Sequence, residues 1–204
     1  MGCCLVSELV RRGHHVEALA RKESLKNLPP GCISIEGNAR DRNTCAHRVA
    51  PADTFVHLIG VSHPSPLKGE QFRAIDLVSA REAAAAAVAV QVQHFVYVSV
   101  AQPAPVMKEY QQVRAQGEQI IRDSGLTATF LRPWYVLGPG HRWPYLLVPF
   151  YWVLEHIPAT REGARRLGLV KLGQMVSTLA YAVENPASGI RILGVPEIRQ
   201  ADGQ

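Results

Sequence analysis

The sequence predicts an α/β fold, a doubly wound parallel sheet with helices on both of its faces. Two observations carry this expectation. Short apolar, β-rich runs alternate with helical patterns along the whole chain, which is how a parallel sheet covered on both faces is built. The stretch from His94 to Pro133 shows one complete unit. His94-Phe-Val-Tyr-Val-Ser99 is a strand with a serine at its end. Tyr110 and Arg114 stand one turn apart on a helical pattern that runs through Glu118, Ile120 and Ile121 to a Ser124-Gly125 stop. Thr127 to Leu131 is a second strand, broken by Arg132-Pro133. Strand, helix and strand form one parallel unit, with a candidate proton-transfer pair at its mouth.

The other elements follow in order. Residues 3–12 form an amphipathic helix with Leu5, Val6, Leu9 and Val10 on one face and Arg11-Arg12-Gly13 closing it. Val16 to Ala20 is a strand with Arg21-Lys22 just past its end. Ile33 to Glu36 is the next, followed by Gly37-Asn38 and Asp41, and Thr54 to Gly60 is an apolar strand ending in glycine. A loop over residues 61–69, holding His63, Pro64 and Pro66, leads into a long helix from about Glu70 to Val90. After Pro133, residues 134–140 read as a loop rich in aromatics and glycine, and an aromatic helix follows from Tyr145 to His156. Residues 165–170 read as a connector, Leu172 to Glu184 as a helix and Gly189 to Val195 as the last strand, with a frayed tail after Ile198.

A chain of 204 residues fits one domain, spanning 1–204, with a small substrate-side segment at about 134–170. The formal charge of +5 is modest, and the basic residues are scattered except at Arg11-Arg12 and between Arg161 and Arg166. That suits a solvated surface or a phosphate-bearing small ligand and not a nucleic-acid stripe. The four cysteines show no C-x-x-C and no zinc spacing, which predicts reduced thiols in a cytoplasmic protein. The eight histidines make no H-x-x-x-H pair, so no metal site is expected. The apolar run Leu146 to Leu154 is too short to span a bilayer.

Several pieces together resemble the atypical short-chain dehydrogenase/reductases, the NAD(P)-binding, Rossmann-like group that includes nucleoside-diphosphate-sugar epimerases. They are Leu5-Val6-x-x-Leu9-x-x-Arg12-Gly13-His14-x-Val16, Gly37-Asn38-x-x-Asp41, Val56-His57-Leu58-x-Gly60, Phe95-Val96-Tyr97-Val98-Ser99, Tyr110-x-x-x-Arg114, Leu131-Arg132-Pro133 and Gly138-Pro139-Gly140. They keep the family's order over about residues 2–195. The resemblance implies an oxidoreductase or epimerase-like enzyme acting on a small substrate. It assigns Tyr110 as general acid/base, Ser99 as the group orienting a substrate oxygen and Arg114 as the cation beside Tyr110. It also implies a cofactor site at Gly2, Arg21, Lys22, Asn38, Gly60, Pro133 and Trp134. Relatives often pair through the helices at 70–90 and 108–124, which suggests a homodimer.

Three departures qualify that implication. Family members open with a strand and a G-x-x-G-x-x-G turn; here Gly2 matches the last of those glycines, and the first strand and first two glycines are absent. That strand would lie centrally, between the strands at 16–20 and 54–60. Without it, rows of buried backbone groups lose partners at about 1–3 kcal/mol each, against a total stability of roughly 5–15 kcal/mol. The expectation is therefore that Met1 is internal to a longer reading frame, the alternative being a degenerate domain that has lost the cofactor. Arg114 stands where active members carry lysine, and arginine keeps the charge but never releases its proton. Val100 stands where many relatives have a second serine.

Cofactor choice follows from Ala20-Arg21-Lys22, which has no carboxylate before Glu23. NAD-specific relatives place an acidic residue there for the ribose hydroxyl, whereas arginine accommodates the 2′-phosphate, so NADP(H) is favoured over NAD. Asn38 matches an Asp that meets the adenine amino group. Gly60 would let the adenine ribose lie against the strand end. A second functional class stays open: a catalytically inactive dinucleotide sensor or interaction protein, favoured by Arg114 and by the aromatic segment 143–152.

Overall fold

The structure, a computed structural model, describes residues 1–41, 52–138, 157 and 161–201. Eight strands and their covering helices run in the order α1 (Gly2–Arg11), β1 (Glu17–Ala20), α2 (Lys22–Leu25), β2 (Ile33–Glu36), β3 (Thr54–His57), α3 (Gly69–Gln71), a π-helical turn (Phe72–Leu77), α4 (Val78–Ala89), β4 (His94–Val98), α5 (Lys108–Asp123), β5 (Ala128–Leu131), β6 (Tyr135–Leu137), α6 (Arg161–Arg166), β7 (Leu169–Lys171), α7 (Leu172–Glu184), β8 (Ile190–Leu193) and α8 (Val195–Gln200). The chain is α/β with parallel strands throughout: β1 pairs β2, β3-β4-β5-β8 form a four-stranded sheet, and β6 pairs β7. Among the described residues no ladder joins β1 to β3, so the sheet divides where the sequence predicts a gap.

Alternation along the strands fills two layers. Val96 and Leu131 face one side, where they meet Leu5 and Leu9 of α1, Met175 and Leu179 of α7 and Ile198 of α8. Phe95, Tyr97, Ala128 and Phe130 face the other, against Ala80, Ala83, Ala84 and Ala87 of α4 and Ile121 of α5. The alanines of α4 let that helix approach the sheet closely, and successive residues of each strand point to opposite faces. α1 ends where Gly13 takes φ 88°, and α5 stops at Gly125 with φ 75°, positions where a side chain would be strained. Within α5, Gly117 abuts the Tyr97 ring, and a Cβ there would collide with the Tyr97 hydroxyl.

Four sequence expectations change. The helix over 70–90 is not uniform but widens into the π turn at Phe72–Leu77. Within the expected loop over 134–140, Tyr135–Leu137 is a strand, held by residues Leu169–Lys171 from the expected connector. α6, Arg161–Arg166, takes in the first two residues of that same connector. The last strand ends at Leu193, and Val195, expected as its end, opens α8, because Val195 and Ile198 are buried in the core and Glu197 Oε2 accepts the Gly194 N–H at 2.8 Å. The expected aromatic helix from Tyr145 to His156 lies outside the described residues.

Candidate functional site

Parallel strands gather their C-terminal ends along one edge, and the predicted site segments all follow such ends. Arg21 follows β1, Asn38 lies two residues past β2 and Gly60 three past β3; Ser99 follows β4, and Pro133-Trp134 follow β5 by one residue. The N-terminus of α1 joins this edge from both sides. The Cys3 thiol donates to the carbonyl of Asn27, beyond β1, at 3.3 Å. A Cβ on Gly2 would lie 3.9 Å from the Leu58 side chain, beyond β3. The first-turn N–H groups of α1 therefore sit between the ends of β1 and β3, where a helix N-terminus favours negative charge. Arg21 and Lys22 are exposed beside it. Asn38 Oδ1 accepts the Arg40 N–H at 3.1 Å, folding the turn after β2.

Arg114 is the most tightly held of the predicted residues. It is 5% exposed, so it is not a solvated neighbour of a surface tyrosine. Its guanidinium lies 2.6 Å from Asp76 Oδ1 and donates to the carbonyls of Val98 at 2.9 Å and Ile59 at 3.3 Å. It also lies over the rings of Tyr110, 5.3 Å to the centroid, and Tyr97, 5.7 Å. Burial works against its charge, but Tyr110, Tyr97 and Asp76 outweigh burial and hold Arg114 above its ordinary value. Asp76 sits in the π turn, and its Oδ2 accepts the Val61 N–H at 3.0 Å. One ion pair thus ties α5 to the ends of β3 and β4. It also explains Gly60, where a Cβ would run into the guanidinium: the glycine makes room for Arg114.

Tyr110 is half-buried, its ring 4.9 Å from that of Phe72. The Arg114 contact reaches its ring face, so charge is presented to the aromatic system. Ser99 is 2% exposed, and its hydroxyl faces the Glu118 carboxylate on α5. Glu118 is itself buried. It accepts a two-pronged contact from Arg132, at 2.9 and 2.6 Å, one from Arg122 at 2.9 Å and one from Gln102 at 3.2 Å. Burial opposes its charge, but the hydrogen bonds and charge of Arg132, with the hydrogen bond from Arg122, hold it below the usual carboxylate range. Trp134 packs on the α1–α7 core with Tyr135 at 5.4 Å, edge to face.

Behind the site, the Ser79 hydroxyl donates to the Asp76 carbonyl at 3.1 Å, so it accepts from His57 Nε2 at 3.2 Å and fixes the proton there. Burial, helped by the Arg114 charge, pushes His57 down to about 3, which keeps it neutral. Asp76 and His57 had no individual signal in the sequence; only the packing of the π turn on β3 and α5 brings them to Arg114. Among the described residues no group of His, Cys, Asp and Glu could hold a metal ion, and no helix is long and apolar enough to cross a membrane.

Comparison with known proteins agrees with this fold. A family model described as NAD(P)H-binding matches residues 1–142. The Bordetella bronchiseptica enzyme WbmH, solved in complex with NAD+, is similar with a TM-score of 0.69 and 20% identity, covering 95% of this chain and 71% of its own. MoeE5, solved with UDP-glucose and NAD, has a TM-score of 0.66 and 20% identity over 95% of this chain and 74% of its own. The UDP-N-acetylglucosamine 4-epimerase of Bacillus cereus has a TM-score of 0.68 and 16% identity over 98% of this chain and 79% of its own. At such identities the likeness is one of fold. No curated protein matches the chain in sequence.

Proposed function

The chain belongs to the NAD(P)H-binding family, and from that premise we propose that it is an NADP(H)-dependent oxidoreductase or epimerase-like enzyme acting on a small substrate. The observation that carries the reading is the convergence of the α1 N-terminus, the exposed Arg21-Lys22 pair and the Tyr110–Arg114 helix on the C-terminal edge of the parallel strands. The residues present fit a dinucleotide. The α1 N-terminus at Gly2 would take the pyrophosphate, Arg21 and Lys22 the 2′-phosphate, Asn38 the adenine and Pro133-Trp134 the nicotinamide side. When bound, the nicotinamide supplies hydride-transfer chemistry.

The chain's own residues do the rest. Tyr110 exchanges a proton with the substrate oxygen, and Arg114, over its ring face, holds the ring in place. Arg114 is committed to Asp76 and two carbonyls, so it acts through Tyr110 and the strand ends and leaves no fork for a ribose. Ser99, at the end of β4 with its buried hydroxyl unpaired among the described residues, is the group that would orient the substrate oxygen.

The test is a fluorescence titration of NADPH and NADH, with Trp134 as reporter, against the chain and its R21Q/K22Q variant. The expected result is NADPH tighter than NADH by about tenfold, near 1.4 kcal/mol, with the preference lost in the variant. Equal affinities that the variant leaves unchanged would end the NADP assignment. Absence of binding by either dinucleotide would end the reading.

A further inference from the structure

We propose that the cleft beyond β4, β5 and β8 binds a small organic monoanion, a carboxylate with a short apolar body. The cleft encloses about 600 Å³ and its wall divides by chemistry. Ala101, Ile192, Val195 and Pro196 supply an apolar side, and Ile192 is 44% exposed, an aliphatic face left open. Arg132, Arg165 and Arg166 supply positive charge, against Glu162 and Glu197. Three arginines and two glutamates line the wall, and the buried Glu118 behind it is shared by Arg132 and Arg122; together these leave one net positive charge, which one carboxylate neutralises. A pyrophosphate would overshoot that balance and press negative charge on Glu162.

The arginines are prepared differently. Arg132 is braced from behind: two of its five N–H donors go to Glu118, at 2.9 and 2.6 Å, and Glu118 also accepts Gln102, a second wall residue. A guanidinium fixed in this way keeps donors in place for a planar carboxylate without ordering a long side chain at the moment of binding. Arg165 and Arg166, in the last turn of α6, are exposed and have no ion-pair partner among the described residues. They are the charges available to a ligand. Glu197 is held in place by the Gly194 N–H and keeps its charge, so Glu162 and Glu197 together set the limit of one ligand charge.

The inference rests on the proposed function only in making this ligand the substrate; binding in the cleft does not require the dinucleotide. Calorimetric titrations of the full chain with hexanoate, with its neutral counterpart hexanamide and with UDP, each with and without saturating NADPH, test it. The expected result is hexanoate at least tenfold tighter than hexanamide and tighter than UDP. R165Q/R166Q removes the preference at an unchanged thermal midpoint. The double variant carries the test because Arg132→Gln also breaks the pair with Glu118. Equal affinity for acid and amide, tighter binding of UDP, or a preference that survives R165Q/R166Q overturns the proposal. NADPH binding without a carboxylate preference defeats this inference alone, and a carboxylate preference without NADPH binding defeats the dinucleotide reading alone.

Discussion

Arg114 and Asp76 form a buried ion pair with 2.6 Å between Nη2 and Oδ1, their side chains 6% and 0% exposed, joining α5 to the π turn before α4. Removing one charge strands the other where water cannot reach it. Asp76→Leu should therefore lower unfolding stability by about 3–5 kcal/mol. D76L/R114M, which removes both charges, should recover a large part of that loss. Urea unfolding of the three proteins measures it. A D76L protein as stable as the parent would mean that the pair is not closed in solution.

Gly117 and Tyr97 make a second, purely steric relation. Because a Cβ at 117 would collide with the Tyr97 hydroxyl, Gly117→Ala should destabilise by about 1–3 kcal/mol in spite of alanine's better helix propensity. That hydroxyl is buried with no hydrogen-bond partner among the described residues, so Tyr97→Phe should cost little and should relieve G117A in the double variant. Thermal unfolding of the two singles and the double reads the coupling. Additive effects would contradict the contact.

Two neutral histidines make the fold acid-sensitive. Burial, with Arg114 nearby, lowers His57 to about 3, and burial, with Arg191 nearby, lowers His94 to about 4. Each binds a proton more readily unfolded than folded. The stability they contribute is complete above about pH 6.5 and is lost as pH falls through the folded values. Each site adds up to about 1.4 kcal/mol per pH unit across its window. Urea midpoints at pH 7.5, 6 and 5 should fall in that order. His57→Gln, which keeps a donor for Ser79, should flatten the slope, and an unchanged slope would show that His57 is not buried neutral.

Tyr110 carries the proposed chemistry at a half-buried position where a phenyl ring keeps the contacts with Phe72 and Arg114. Tyr110→Phe should lower turnover by roughly 10²-fold or more while leaving NADPH affinity within a factor of two. Hydride exchange with labelled NADPH across a panel of short-chain carbonyl acids measures it. Parent-like turnover in the variant would remove Tyr110 from the mechanism.

The order of elements and the strand ends that carry the candidate residues were legible in the sequence because both depend on local patterns. Ile33–Glu36 and Leu172–Glu184 coincide with their expected bounds, since a strand or helix periodicity is written in neighbouring residues. A parallel sheet then forces Arg21, Asn38, Ser99 and Pro133 to the ends of successive strands. Which partner each side chain takes was decided by tertiary structure alone. Arg114 reads locally as the cation beside Tyr110, one turn away, yet its ion-pair partner is Asp76, 38 positions back in the chain. Gly60 reads as a turn or a ribose contact, yet it is the space that the guanidinium fills. Ser99 reads as a strand-end hydroxyl, and only the packing of α5 on the strand ends buries it to 2% exposure. Sequence periodicity assigns a residue to a face; only the packing of α5, the π turn and the strand ends determines which charges must neutralise one another once water is removed.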